Sequence, residues 1–178
     1  MSYLTMPFKH TEKRAGALHD FDHLLGLEWD VQTLDSEGVL KNKRYKLVQY
    51  DSNAGSSFST PQDKTFIWHV RSAYEVLPCS GNTDRVCGVS PCEASDLDAD
   101  DYFFIQVDGE AYVIQGDDTA NDVTVGEYVR PDNDADLGKC ASNSTTFAEG
   151  ITFARPITGA SETDGARCLV DLMGPLKG

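Results

Sequence analysis

Tyr102-Phe103-Phe104-Ile105-Gln106-Val107-Asp108-Gly109-Glu110-Ala111-Tyr112-Val113-Ile114 is the stretch on which the fold turns. It is crowded with aromatic and β-branched residues, the types that pack well on a pleated surface. Asp108-Gly109 falls between two such runs. Both residues tolerate positive φ, so the pattern predicts a hairpin joining Tyr102–Val107 to Glu110–Ile114. Working outward, short strand candidates recur at Thr65–Val70, Tyr74–Leu77, Arg85–Val89, Glu127–Arg130, Ile151–Ala154 and Ala166–Leu172, nearly all separated by turn residues. Trp29, Val31 and Thr33 alternate before the turn residues Asp35-Ser36-Glu37-Gly38. Tyr45, Leu47 and Gln49 alternate with Lys46, Val48 and Tyr50, giving a strand with two partly apolar faces. Many short strands at even spacing predict an all-β fold, a small β-barrel or sandwich.

The start of the chain reads differently. Residues 1–14 are polar and irregular, with Pro7 and a basic patch at Lys9, Lys13 and Arg14. They read as an extended arm. Leu18, Phe21 and Leu25 then share one helical face, with His19, Asp22 and His23 opposite, so 15–27 predicts at most one short helix between Gly16 and Gly26. The expected organisation is an N-terminal arm over 1–28 and a β-domain over 29–178.

Composition narrows the class. The chain has 178 residues, 40 % of them hydrophobic and 25 % charged, as in ordinary folded proteins. Its apolar runs reach four or five residues, whereas a membrane helix needs about 20. No basic stretch followed by an apolar one opens the chain, so no secretory leader is expected. The net charge is -14, which counts against nucleic acid as a partner. Residues 1–50 balance seven basic against seven acidic side chains, while 93–136 hold 14 acidic residues and one basic residue, Arg130. An acidic face in solvent and a neutral N-terminal part against a partner would both account for this.

Motifs for chemistry are sparse. Cys79, Cys87, Cys92, Cys140 and Cys168 are odd in number and lack a zinc knuckle, so reduced thiols are expected, with Cys87 and Cys168 as small hydrophobes. His19 and His23 have a chelating spacing on a helix but no evident further ligands. Asp132, Asp134 and Asp136 resemble the opening of a calcium loop. Leu137 stands where such a loop needs Gly and Asn143 where it needs Glu, so an exposed acidic turn is the reading preferred. His69, between Trp68 and Val70, is expected to be packed. No nucleophile elbow, phosphate loop or dinucleotide fingerprint occurs, and an enzyme is not expected. No cofactor is expected either.

A family resemblance enters through Arg85-Val86-Cys87-Gly88-Val89 and then Leu97-x-Ala99-x-x-Tyr102-Phe103-Phe104-Ile105-Gln106-Val107-Asp108-Gly109-Glu110-Ala111. It continues through Val123–Val129, Gly150–Ala154 and Ala166–Leu172. Over roughly residues 70–174 the pattern resembles the capsid decoration (cement) proteins of tailed bacteriophages. The resemblance implies a virion protein, made in the host cytoplasm, on the outer capsid surface. There it would bind the major capsid protein and staple neighbouring subunits, often as a trimer of small barrels with an N-terminal arm on the shell. Tyr3, Leu4, Met6 and Phe8 would be the arm's apolar anchors, and Lys9, Lys13 and Arg14 its complement to an acidic shell. Two other readings stand beside it. One is another virion component such as a tail or head-fibre base. The other is a calcium- or carbohydrate-binding β-domain using the Asp132–Asp136 turn.

Overall fold

The computed structural model describes residues 5–16, 19–34, 38–51, 54–116, 122–132, 137–142, 151–159 and 165–173. Among them lie twelve strands: β1 Glu28–Leu34, β2 Leu40–Tyr50, β3 Phe58–Ser59, β4 Thr65–Val70, β5 Glu75–Pro78 and β6 Val86–Val89, then β7 Asp96–Leu97, β8 Tyr102–Ile114, β9 Val129–Pro131, β10 Cys140–Ser142, β11 Ala154–Pro156 and β12 Arg167–Leu172. Two short 3-10 turns, Asp22–Leu24 and Arg71–Ala73, are the helical elements described. The fold is all-β.

Five strands close on themselves. β2 pairs with β5 in parallel, β5 with β4, β4 with β6, β6 with β8, and β8 returns antiparallel to β2. A closed ring leaves these strands no open edge. β1 lies beside the first part of β2 as an antiparallel hairpin. On the far side β8 continues past the ring to pair with β12, and β11, β9 and β10 follow in order as a wing.

β8 explains why one strand can belong to both. Phe103, Ile105 and Val107 point into the ring with Val48, Phe66, Val76 and Leu97. Tyr102 and Phe104 face the other way, against Phe8, Trp29, Tyr45 and Leu47. Further along, Ala111 and Val113 join Val129, Phe153, Cys168 and Val170 under the wing. Each large apolar side chain so buried contributes roughly 1.5–3 kcal/mol, and β8 supplies such side chains to all three cores.

The hairpin expected at Asp108-Gly109 does not form. β8 runs through it without a break, and the register with β2 steps from Gln106↔Tyr45 to Asp108↔Arg44, leaving Val107 as the extra residue of a bulge. Gly109 takes φ 84, and a Cβ there would overlap the carbonyl oxygen of Asn42. The Gln106 side-chain amide donates to the carbonyls of Asp108 and Glu110 at 3.1 and 2.9 Å. A Gly at positive φ serves a tight turn and a bulge equally well. Here the two halves have separate long-range partners, β2 and β12, so the chain bends instead of reversing.

The expected helix over 15–27 also shrinks, to the single turn Asp22–Leu24; Leu18 lies outside the described residues. Gly16 is pressed against the backbone of Asp100, and Leu25 is already extended with φ -56 and ψ 136. Phe21, Leu24 and Leu25 still pack on the cluster around Phe104, so the apolar pattern marked a buried face without specifying a helix. The turn residues Asp35–Glu37 lie outside the described residues.

Candidate functional site

The outer face of β1, β2 and β8 presents Trp29, Tyr45, Leu47, Tyr102 and Phe104, a surface too apolar to leave in water. Residues 5–16 cover it as an irregular segment, with a turn closed by the Glu12 N–H donating to the Lys9 carbonyl at 3.0 Å. Phe8 is buried, with its ring 5.3 Å from Phe21 and 5.0 Å from Phe104. His10 stacks on Tyr45 at 4.5 Å. Backbone bonds tack the segment down: Glu93 N–H donates to the Thr11 carbonyl at 2.9 Å, and Arg14 and Tyr102 exchange bonds of 2.9 and 2.8 Å.

Charge completes the attachment. Lys13 Nζ lies 2.9 Å from Asp96, 3.3 Å from Asp98 and 2.8 Å from Asp101. Burial opposes its charge, but hydrogen bonds to Asp101 and Asp96 outweigh that and hold the ammonium above the ordinary lysine range. Part of the acidic 93–136 block therefore serves this segment and does not simply face solvent. The Arg14 guanidinium lies 5.6 Å from the centre of the Phe8 ring and 2.9 Å from Glu12.

The arm residues singled out from the sequence therefore divide. Phe8 is an anchor for the chain's own core, and Lys13 is bound to its own carboxylates. Neither is presented outward, because the Tyr102–Phe104 face needs a cover that the leader supplies. Met6 is half-buried on the same cluster; Lys9 and Arg14 are exposed; Tyr3 and Leu4 lie outside the described residues.

A more outward feature is the tip of the β1–β2 hairpin. β8 pairs with β2 only from Arg44 onward, so Leu40–Lys43 have β1 alone as strand partner. There Leu34, directly opposite Leu40, is 67 % exposed, Leu40 is 62 % exposed and Val39 is 50 % exposed. The stem below is a ladder of ion pairs: Lys41–Glu110 at 2.8 Å, Arg44–Asp30 at 2.8 Å and Lys46–Glu28 at 2.9 Å. The sequence signal was present in Leu34 and in Val39-Leu40 after Gly38.

Between the leader and the wing is a polar hollow of about 150 Å³ lined by His10, Lys43, Tyr45, Asp63, Glu93 and Arg167. Burial raises the Asp63 carboxyl even though Arg167 Nε sits 2.6 Å away, and burial lowers Lys43.

The metal-ligating residue types noted in the sequence are placed as follows. His19 lies 3.2 Å from Asp22 and His23 is exposed, with no helix to stack them. Asp132 is buried, while Asp134 and Asp136 lie outside the described residues. His69 is not packed. It is 44 % exposed, and its Nδ1 is 2.9 Å from Asp51 Oδ2. Glu75 completes a three-donor group with them. All five cysteines are buried unpaired thiols. Burial pushes Cys79 up to about 12 and Cys87 and Cys140 well above the usual range, while a hydrogen bond from Cys140 lowers Cys168.

Among the described residues no helix is long and apolar enough to cross a membrane. Comparison with protein-family models, with curated proteins and with solved structures finds no match.

Proposed function

We propose that this chain is a non-enzymatic capsid decoration protein that binds the outer surface of a phage head and stabilises contacts between major capsid subunits. The stretches that resemble such proteins include β6, most of β8 and β12, which belong to the ring and the wing. The observation that carries the reading is the β1–β2 tip, where Leu34, Val39 and Leu40 stand exposed together on a hairpin braced by ion pairs. Exposed apolar side chains on a stiff projection suit insertion between subunits of a protein shell. The packed leader keeps Phe8 for the body, so the tip and the residues around Lys9 replace it as the contact surface. In this reading the chain assembles as a trimer and carries no catalytic group.

The test is co-sedimentation of the purified protein with expanded phage capsids. The paired substitution L34S/L40S is expected to weaken binding by at least tenfold without lowering the melting temperature. Equal binding by that variant rejects the tip as anchor. Absence of the chain from gradient-purified particles rejects decoration altogether.

A further inference from the structure

One donor arrives from each of three neighbouring strands at the end of the ring where β2 stops. Asp51 follows the last residue of β2, and β5 runs parallel to it with Gln49↔Glu75 and Tyr50↔Val76. β4 pairs with β5 as Trp68↔Val76 and then Val70↔Glu75, so His69 is the extra residue of a bulge beside Glu75. That bulge re-aims the imidazole toward Asp51. The result is one imidazole nitrogen and two carboxylate oxygens, all within 4.8 Å of one another.

The spacing suits a shared ion. Two ligands about 2.1 Å from one metal are about 3.0 Å apart when adjacent in an octahedron and about 3.4 Å apart in a tetrahedron. His69 Nδ1 and Asp51 Oδ2 are 2.9 Å apart as a direct ion pair, a separation that a shared ion would keep or widen by a few tenths of an ångström. The framework is held firmly: Asp51 N–H donates to the Val76 carbonyl at 3.1 Å, and Gln49 N–H to the Tyr74 carbonyl at 3.1 Å. The Asp51 side chain is 5 % exposed and His69 is 44 % exposed, so the group is closed below and open above. Glu75 also lines an adjoining hollow of about 510 Å³ with Asp22 and Asp100, whose carboxylates draw cations toward it.

We propose that Asp51, His69 and Glu75 form a site for a divalent first-row transition ion, with its remaining positions open to water or to an oxygen donor of a bound partner. An imidazole with two carboxylates matches ions of borderline hardness such as Zn²⁺ and disfavours Ca²⁺, which takes six to eight oxygen ligands. Binding would tie together the three strands whose short β2–β5 pairing closes the ring. The proposal is independent of the capsid reading.

The experiment is calorimetric titration of the chelator-treated full chain with Zn²⁺, alongside its melting temperature. One equivalent is expected to bind, with a raised melting temperature. H69A and E75Q should each weaken binding at least tenfold and remove the rise in melting temperature that Zn²⁺ gives the wild type, measured against each variant's own metal-free value. H19A/H23A, which removes the other paired histidines, should bind as wild type. No heat with wild type, unchanged binding in H69A and E75Q, or loss confined to H19A/H23A would each overturn the site.

Discussion

Arg14 and Tyr102 exchange both of their backbone hydrogen bonds, at 2.9 and 2.8 Å, so the leader ends as a single rung of strand at the start of β8. Phe8 lies upstream of that rung, in the cluster that backs Tyr102 and Phe104. The leader is thus a structural part of the sheet's outer face.

Phe8→Ala should destabilise the isolated protein by about 3 kcal/mol, since it removes a buried ring and leaves a cavity between Phe21 and Phe104. Urea denaturation followed by tryptophan fluorescence measures this, Trp29 being in the same cluster. A loss under 1 kcal/mol would mean that the leader is only lightly attached.

Gly109→Ala meets both a left-handed φ of 84 and the Asn42 carbonyl, and should cost about 3 kcal/mol or more. Gly38→Ala is the control. Its φ of 78 is similar, but nothing lies within 4 Å of the added Cβ, so about 1 kcal/mol is expected. Equal losses in the two variants would show that the close approach at the bulge carries no weight.

Burial, and then the charge of Lys43, holds His10 below its ordinary value. The unfolded chain therefore takes up this proton first as pH falls, beginning near about 6.5. Stability from this group is complete above that pH and declines until the lowered folded value is reached. H10Q should flatten the fall in denaturation free energy between pH 7.5 and 5.5. An identical pH slope in wild type and variant would remove His10 from the account.

The buried thiols should react slowly. Burial pushes Cys79 up to about 12 and raises Cys87 and Cys140 well above the usual range, while Cys168, lowered by its bond from Cys140, is protected by burial alone. An aromatic disulfide reagent at pH 8 should label the native protein at least tenfold more slowly than the same chain in urea, where all five cysteines titrate. Rapid native labelling of one thiol would reveal local opening around it.

The sequence made the β-architecture legible because Thr65–Val70 and Tyr102–Ile114 are dense in β-branched and aromatic residues. β3, β7 and β10 escaped notice because two or three residues cannot display a period. Asp108-Gly109 misled because its local chemistry is shared by turns and bulges; only the distant partners β2 and β12 decide between them. Met6 and Phe8 were recognised as anchors, but the surface they fit belongs to Trp29, Tyr45 and Phe104, far along the chain. Asp51, His69 and Glu75 had no local signal, since a parallel pairing and a bulge bring them together.

β8 gives its first half to the ring and its second to the wing. A pull applied lengthwise to this common stave loads its ladders with β2 and β12 in shear, so many hydrogen bonds must fail together before either half lets go. The molecule is mechanically one rivet, with its shank and its head forged from the same bar.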